Sequence, residues 1–262
     1  MPNIWAHRIC ADITLRRLGS SPAADLIKKN IASYRLGCQG ADIMYFRLTQ
    51  LMRGKNGVVY YAKLLHAQPI EKLVNISRRY LEDACSDKQF AGMFSYICGF
   101  LCHHSVDQKV HNLIYARDAS LLEHRRIELD FDAFMTRELD IKHDKSNTSW
   151  AGMGEFTEFA GLAQWYNYIF HDLCNKKFSM RSYIKDYNAL RLASVFLDRP
   201  FKLKHAEKTL LSLQELRTMM SFTLRSCLNV ANTINRMYYE LERDAQFMTC
   251  VWQAEEPSLA VL

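Results

Sequence analysis

Five polar residues in the middle of the chain restrict its fold more than any other feature. They read His103-x3-Asp107-x3-His111 and His124-x3-Glu128. On an α-helix a step of four residues advances only about 40° around the axis. His103, Asp107 and His111 therefore fan over about 80° of one helical face, and His124 and Glu128 share a face on the next helix. Two neighbouring helices can then bring five side chains to one point. Imidazole and carboxylate are the usual nitrogen and oxygen ligands of zinc.

The rest of the composition agrees with helices. The chain has 262 residues, enough for one large domain or two small ones, with 49% hydrophobic and 24% charged residues. Only 10 Gly and 5 Pro occur, about half of average usage, which predicts helices joined by short loops. The net charge of +6 is scattered; it favours anionic ligands such as phosphates and is no nucleic-acid signature. None of the eight Cys forms a C-x2-C pair, and most stand beside apolar residues, as small core residues do. That usage points to a reducing, cytoplasmic location. Met1 to His7 carries no signal-peptide pattern, and no run of 18 apolar residues predicts a membrane span.

Helical periodicity places the elements. Helices are expected over Trp5 to Leu18, Ala23 to Tyr34, Asp42 to Arg53, a stretch ending at His66, Ile70 to Cys85 and Gln89 to Tyr115. Others follow over Ser120 to Asp140, Glu155 to Asn175, Met180 to Leu197 and Lys204 to Asp244, the last being one long helix or two. The polar stretch Lys142 to Gly154 reads as a loop and as the one candidate boundary. Residues 1–140 form a helical metal-binding core, and 141–262 a helical C-terminal part packed on it within one continuous domain. The fold class is all-α, a multi-helix bundle.

A single His in a helix is more often a core or surface residue than a ligand, and His143, His171 and His205 are read that way. Clustering changes the balance. His103 follows the apolar run Tyr96 to Cys102, and polar groups at the end of a buried helix need partners. A metal supplies one; an ion pair with Arg125 or Arg126 is the alternative, and spacing alone does not choose. Nor does it choose between His103 and His104, because His104, Asp107 and His111 also line one face. His7, Asp42 and His66 occur singly upstream, and on its own Asp42 reads first as a helix N-cap.

Taken in order, these pieces resemble the zinc-dependent phospholipase C family, which includes the related fungal single-strand nucleases, and within it a bacterial, signal-less branch. The resemblance covers about residues 1–132. It rests on Trp5-x-His7, Leu36-Gly37-Cys38-Gln39-Gly40-Ala41-Asp42, His66, the His103-to-His111 motif and His124-x3-Glu128. It implies a zinc cluster held between helices. Asp42, His66, His103 and Asp107 resemble the ligands of one zinc; His111, His124 and Glu128 those of a second; His7, sharing Asp107, part of a third. By position it is His103, not His104, that matches the ligand. Secreted members close the third site with the amine and carbonyl of an N-terminal Trp. Here Trp5 is internal, with the Pro2 amine as a substitute, so two or three zinc ions are implied. The Asp107-to-His111 interval is also shorter than in the secreted enzymes.

The resemblance implies a hydrolase of phosphate esters, phospholipids among them, that attacks phosphorus with a metal-activated hydroxide. It also implies Asp42 as ligand and proton acceptor, and peripheral membrane contact. Glu123, Asp130 and Asp132 are candidates to orient the imidazoles, and Tyr45, Phe46, Tyr60 and Tyr61 to line a pocket. Two competing readings stand beside it. One is a non-catalytic helical protein with a structural or vestigial metal site. The other is a metallophosphohydrolase built on a His-Asp dipeptide, for which His143-Asp144 and His171-Asp172 are the candidates.

Overall fold

The longest apolar stretch becomes the axis of the molecule. In the computed structural model, which describes residues 4–45, 58–83, 89–115, 120–141, 159–197 and 210–243, that stretch is α6, Phe90–Tyr115. Its first half is apolar all round, and such a helix must be covered on every side. Phe94, Tyr96, Ile97, Cys98, Phe100 and Leu101 are fully buried. Around α6 pack α1 (Ile4–Leu18), α2 (Pro22–Lys29), α3 (Ile31–Gly37), α5 (Ile70–Asp83) and α10 (Leu213–Glu242). The remaining elements are a 3₁₀ turn (Gly40–Tyr45), α4 (Val58–His66), α7 (Leu121–Glu138), α8 (Phe159–Cys174) and α9 (Met180–Leu197). All regular structure among the described residues is helical.

The tightest contact is between α3 and α6. A Cβ at Gly37 would stand 2.0 Å from the Tyr96 carbonyl oxygen, and one at Gly99 would stand 2.0 Å from that of Tyr34. Each helix thus lays its backbone on the other's glycine, which fixes the level at which the turn after α3 meets α6.

Two apolar clusters build the interior. The larger joins α2, α3, α5, α8 and α9 to the first half of α6. Tyr96 and Tyr166 share a hydroxyl hydrogen bond of 2.8 Å there, and Trp165 Nε1–H donates to Ser77 Oγ at 3.1 Å, so the aromatic polar tips are satisfied. The smaller gathers Ala6, Ile9 and Cys10 from α1, Val106, Val110 and Ile114 from α6, Ile127, Phe131 and Met135 from α7, and Leu216 and Met219 from α10. On α6 the larger cluster ends at Cys102 and the smaller begins at Val106. The polar residues of α6 lie along that seam.

Helix ends follow local chemistry. Ser120 and Glu123 form a capping box that starts α7, and Ser212 and Glu215 another that starts α10. The helix expected over Ala23 to Tyr34 is broken at Asn30, whose φ of −121° and ψ of 41° leave helical geometry and whose Nδ2–H donates to the Leu26 carbonyl at 3.0 Å. Periodicity runs across this break, so it shows only in the backbone. The expected loop Lys142 to Gly154 and the stretch from Phe46 to Arg53 lie outside the described residues. Among the described residues no helix is long and apolar enough to cross a membrane.

Candidate metal centre

Each singled-out residue is placed by a local device. His7 lies one turn into α1, and that turn is held from α7. Asp132 Oδ1 accepts the Ala6 N–H at 2.6 Å, and its Oδ2 accepts the Trp5 N–H at 3.4 Å. Asp42 rides on the 3₁₀ turn, which folds directly over the His103 ring. Gly40 there has a φ of +50°, and a Cβ on it would lie 2.1 Å from His103 Cδ2, so the position admits only glycine. His66 is the last residue of α4, and its Nδ1–H donates to the Ala62 carbonyl at 2.9 Å. That bond sets the tautomer and leaves the Nε2 lone pair facing inward. His103, Asp107 and His111 descend one face of α6, and His124 and Glu128 one face of α7.

The side chains meet at Asp107. Its Oδ1 is 3.1 Å from His7 Nε2. Its Oδ2 is 3.1 Å from His66 Nε2, 3.5 Å from His103 Nε2 and 3.7 Å from His111 Nδ1. Asp42 closes the other side, at 3.8 Å from His7 Nε2, 3.5 Å from His66 Nε2 and 3.9 Å from His103 Nε2. His7, Asp42, His103 and Asp107 each offer a ligand atom within 4.8 Å of the others, and so do His111, His124 and Glu128. In the second group both Nε2 atoms meet Glu128 Oε1, at 3.1 Å from His111 and 3.0 Å from His124. Asp107 adjoins both groups through His111. All eight residues singled out from the sequence are thus brought to one double cluster, His7 falling beside Asp42, His103 and Asp107.

Part of this set is hydrogen-bonded: His66 Nε2 stands 3.1 Å from His103 Nε2, and Glu128 meets His111 and His124. Asp42 Oδ2, Asp107 Oδ2, His7 Nδ1 and His103 Nδ1 are buried without a hydrogen-bond partner. Buried polar atoms are rarely left so. The two carboxylate oxygens face the Nε2 atoms of His7 and His103, an arrangement a cation would satisfy, and the imidazole–carboxylate set suits zinc.

The charges are strained in the same sense. Burial alone would raise the Asp107 carboxyl, yet His111, His103 and His7 together hold it well below the usual carboxylate range. Asp42 is pushed up to about 6 by burial and then by the charge of Asp107. Burial opposes charge on His111, but Asp107 and Glu128 carry it up to about 9. Burial, reinforced by His7, drives His103 well below its usual value. The metal-free cluster thus sets protons on some imidazoles against buried carboxylate charge, a task a cation would take over.

Neighbouring residues fall into clear roles. His104 turns away from the cluster; its Nε2–H donates to the Gln68 carbonyl at 2.8 Å, and its ring stacks on Phe100 at 6.2 Å and 8°. Gln108 Nε2–H reaches the same carbonyl at 2.6 Å. Both clamp the chain just beyond His66, a function that no spacing announces. Of the three acidic candidates for orienting imidazoles, none bonds one. Glu123 caps α7, Asp130 accepts from Arg126 at 3.3 Å and from the Leu210 N–H at 3.1 Å, and Asp132 anchors α1. Tyr45 stacks on His66 at 6.0 Å, Tyr61 packs on Phe170 and Phe178, and Tyr60 is exposed under Lys176. The Pro2 amine, Phe46, the Arg125 side chain, His143 and His205 lie outside the described residues. His171 is exposed on α8 and Asp172 pairs with Arg79 at 2.9 Å, so that dipeptide joins no metal-capable group among the described residues.

Comparison with known proteins agrees with this chemistry. A family model described as zinc dependent phospholipase C matches residues 6–198, well over half of the chain. The match extends past the motif-bearing first half, which ends near residue 132, into α8 and α9. Among the described residues those helices contribute aromatic packing and no member of the metal-capable groups. No curated protein and no solved structure matches the chain.

Proposed function

The chain belongs to the zinc-dependent phospholipase C family, and from that premise we propose that it is a hydrolase of phosphate esters, a phospholipase C-like phosphodiesterase. The observation that carries the reading is the convergence on Asp107 of four imidazoles, three of which also face the buried Asp42, with one oxygen of each carboxylate lacking a hydrogen-bond partner. Asp42, His66, His103 and Asp107 would hold one ion, His111, His124 and Glu128 a second, and His7 with Asp107 part of a third. Zinc, when bound, supplies Lewis acidity and lowers the pKa of water towards about 7.

The protein's own groups supply the rest. The Ala62 carbonyl holds His66 in the tautomer that presents Nε2. Asp107 lends negative charge to both groups, balancing the cations that a phosphate diester must approach. Asp42, buried beside the cluster, is assigned as proton acceptor as well as ligand. The Asp132 anchor keeps His7 in place while the site works. The substrate class, by this reading, is a phosphodiester with phospholipid among its members, met at a membrane surface.

Hydrolysis of p-nitrophenylphosphorylcholine and of bis(p-nitrophenyl) phosphate tests the proposal. Wild-type turnover that is abolished by chelation, restored by zinc and lost in His103→Ala and Asp107→Ala is the expected result. Tight zinc binding with no turnover of either ester would leave a structural metal site in its place.

A further inference from the structure

Beside the second group of ligands lies a cavity of about 270 Å³, walled by Leu113 and Ile114 of α6, Ile127 of α7, and Leu211 and Met219 at the start of α10. Ile114 follows His111 by three residues, and Ile127 follows His124 by three. Residues so spaced are neighbours on a helix face, with Cβ atoms about 5–6 Å apart. On both helices the wall therefore adjoins a metal-capable side chain. Three of the polar lining residues, Ser212, Glu215 and Thr218, are already engaged at the start of α10. Ser212 Oγ meets Glu215 Oε2 at 2.7 Å, the Ser212 N–H donates to the same oxygen at 2.8 Å, and Thr218 Oγ1 donates to the Gln214 carbonyl at 2.9 Å. What the cavity offers a ligand is mainly hydrocarbon surface. Its size lies near the lower bound of small-ligand pockets, about 300 Å³, which suits one chain rather than a whole head group. Leu210 and Leu213 flank it at 43% and 49% exposure, extending the apolar surface outward.

We infer that this cavity binds an alkyl chain, and that it seats one hydrocarbon tail of the ester whose phosphate reaches the ligand cluster. The inference rests on the hydrolase reading for the tail's identity, but not for the cavity's chemistry. A long-chain phosphodiester would span the two features, with its apolar end between α6, α7 and α10 and its phosphate beside His111, His124 and Glu128. Filling the cavity should then discriminate between esters with and without a chain.

Thr218 and Gln214 line the cavity, are exposed and lie outside the core, so Thr218→Trp and Gln214→Trp fill it without disturbing packing. Two substrates read the effect: dihexanoylphosphatidylcholine below its micelle concentration, and p-nitrophenylphosphorylcholine, which has no alkyl chain. Displacing two buried methylenes predicts roughly a tenfold loss of kcat/KM on the lipid, with the chromogenic ester unchanged within about twofold. An equal loss on both esters, or none on the lipid, overturns the inference. Decyl maltoside below its micelle concentration, titrated by NMR, reads chain binding without any phosphate. Binding by the wild type that weakens about tenfold or more in both Trp variants supports the cavity even if neither ester is hydrolysed, an outcome that would sink only the hydrolase reading. Absence of decyl maltoside binding by the wild type overturns it whatever the turnover.

Discussion

Asp107 and His104 sit three residues apart on α6 and are treated oppositely by the fold. Asp107 is kept ionised by a ring of imidazoles, while burial holds His104 down at about 4, against the opposing Gln68 bond. The second case gives a pH dependence with a definite sign. In the unfolded chain His104 takes a proton near pH 6.5, whereas in the folded chain it stays neutral until about pH 4. Its contribution to stability is therefore full above pH 6.5 and is lost as pH falls towards 4, about 3 kcal/mol over that window. Urea unfolding of wild type and His104→Phe at pH 7 and pH 4.5 checks this; the variant keeps a ring against Phe100 and should lose less stability on acidification. Equal acid sensitivity would remove His104 as the titrating group. At this scale the chain was partly legible. His103, Asp107, His111, His124 and Glu128 show themselves through four-residue spacing, because α6 and α7 are unbroken where those residues lie. His7, Asp42 and His66 carry no such mark, since each reaches the cluster from a different element; only the resemblance picked them out. The choice between His103 and His104 needed the resemblance too; in the structure His103 faces the cluster, while His104 is bonded to the Gln68 carbonyl.

Elements are locked to one another by contacts that periodicity cannot report. The reciprocal seating of Gly37 and Gly99 leaves no room for a methyl group, because the obstructing atoms are backbone carbonyls. Gly37→Ala should destabilise the fold by about 1–3 kcal/mol or more, read as a lower urea midpoint, and should loosen zinc binding because the turn carrying Asp42 is displaced. An unchanged midpoint would show that the two helices can separate freely. The Asp132 anchor acts across 126 residues of sequence. Asp132→Ala removes the acceptor of two N–H groups at the start of α1, which for a capping residue costs about 0.5–2 kcal/mol. Zinc affinity should fall as well, because His7 is on that turn; stability loss with unaltered affinity would separate His7 from the metal. Neither contact was readable beforehand. Glycine in a helical pattern looks like a defect until its partner backbone is known, and a cap donated by another helix leaves no local signature. The break at Asn30 is local, but apolar periodicity runs across it and so does not report it.

For the molecule as a whole, the candidate ligand cluster lies along the seam between two apolar cores, so metal binding there would couple to the proton and folding equilibria. His111, carried up to about 9 in the metal-free chain, contributes stability that is complete below pH 6.5 and is lost as pH rises through about 9. Coordination needs the neutral imidazole, so zinc uptake at pH 7.5 should release protons and tighten as pH rises. Calorimetric titration in two buffers of different ionisation enthalpy measures that release; identical heats would mean that His111 stays protonated and binds nothing. Among the described residues, the C-terminal helices place no side chain in the metal-capable groups; Trp165 and Tyr166 of α8, which the family match covers, are fully buried. The most direct test of the metal centre is zinc content. Wild type and Asp107→Asn would be prepared side by side under zinc-replete conditions, dialysed, and compared by elemental analysis and circular dichroism. Two or three zinc ions per folded wild-type chain, with fewer in an equally helical Asp107→Asn, is the expected result; a folded wild-type chain without zinc would contradict it.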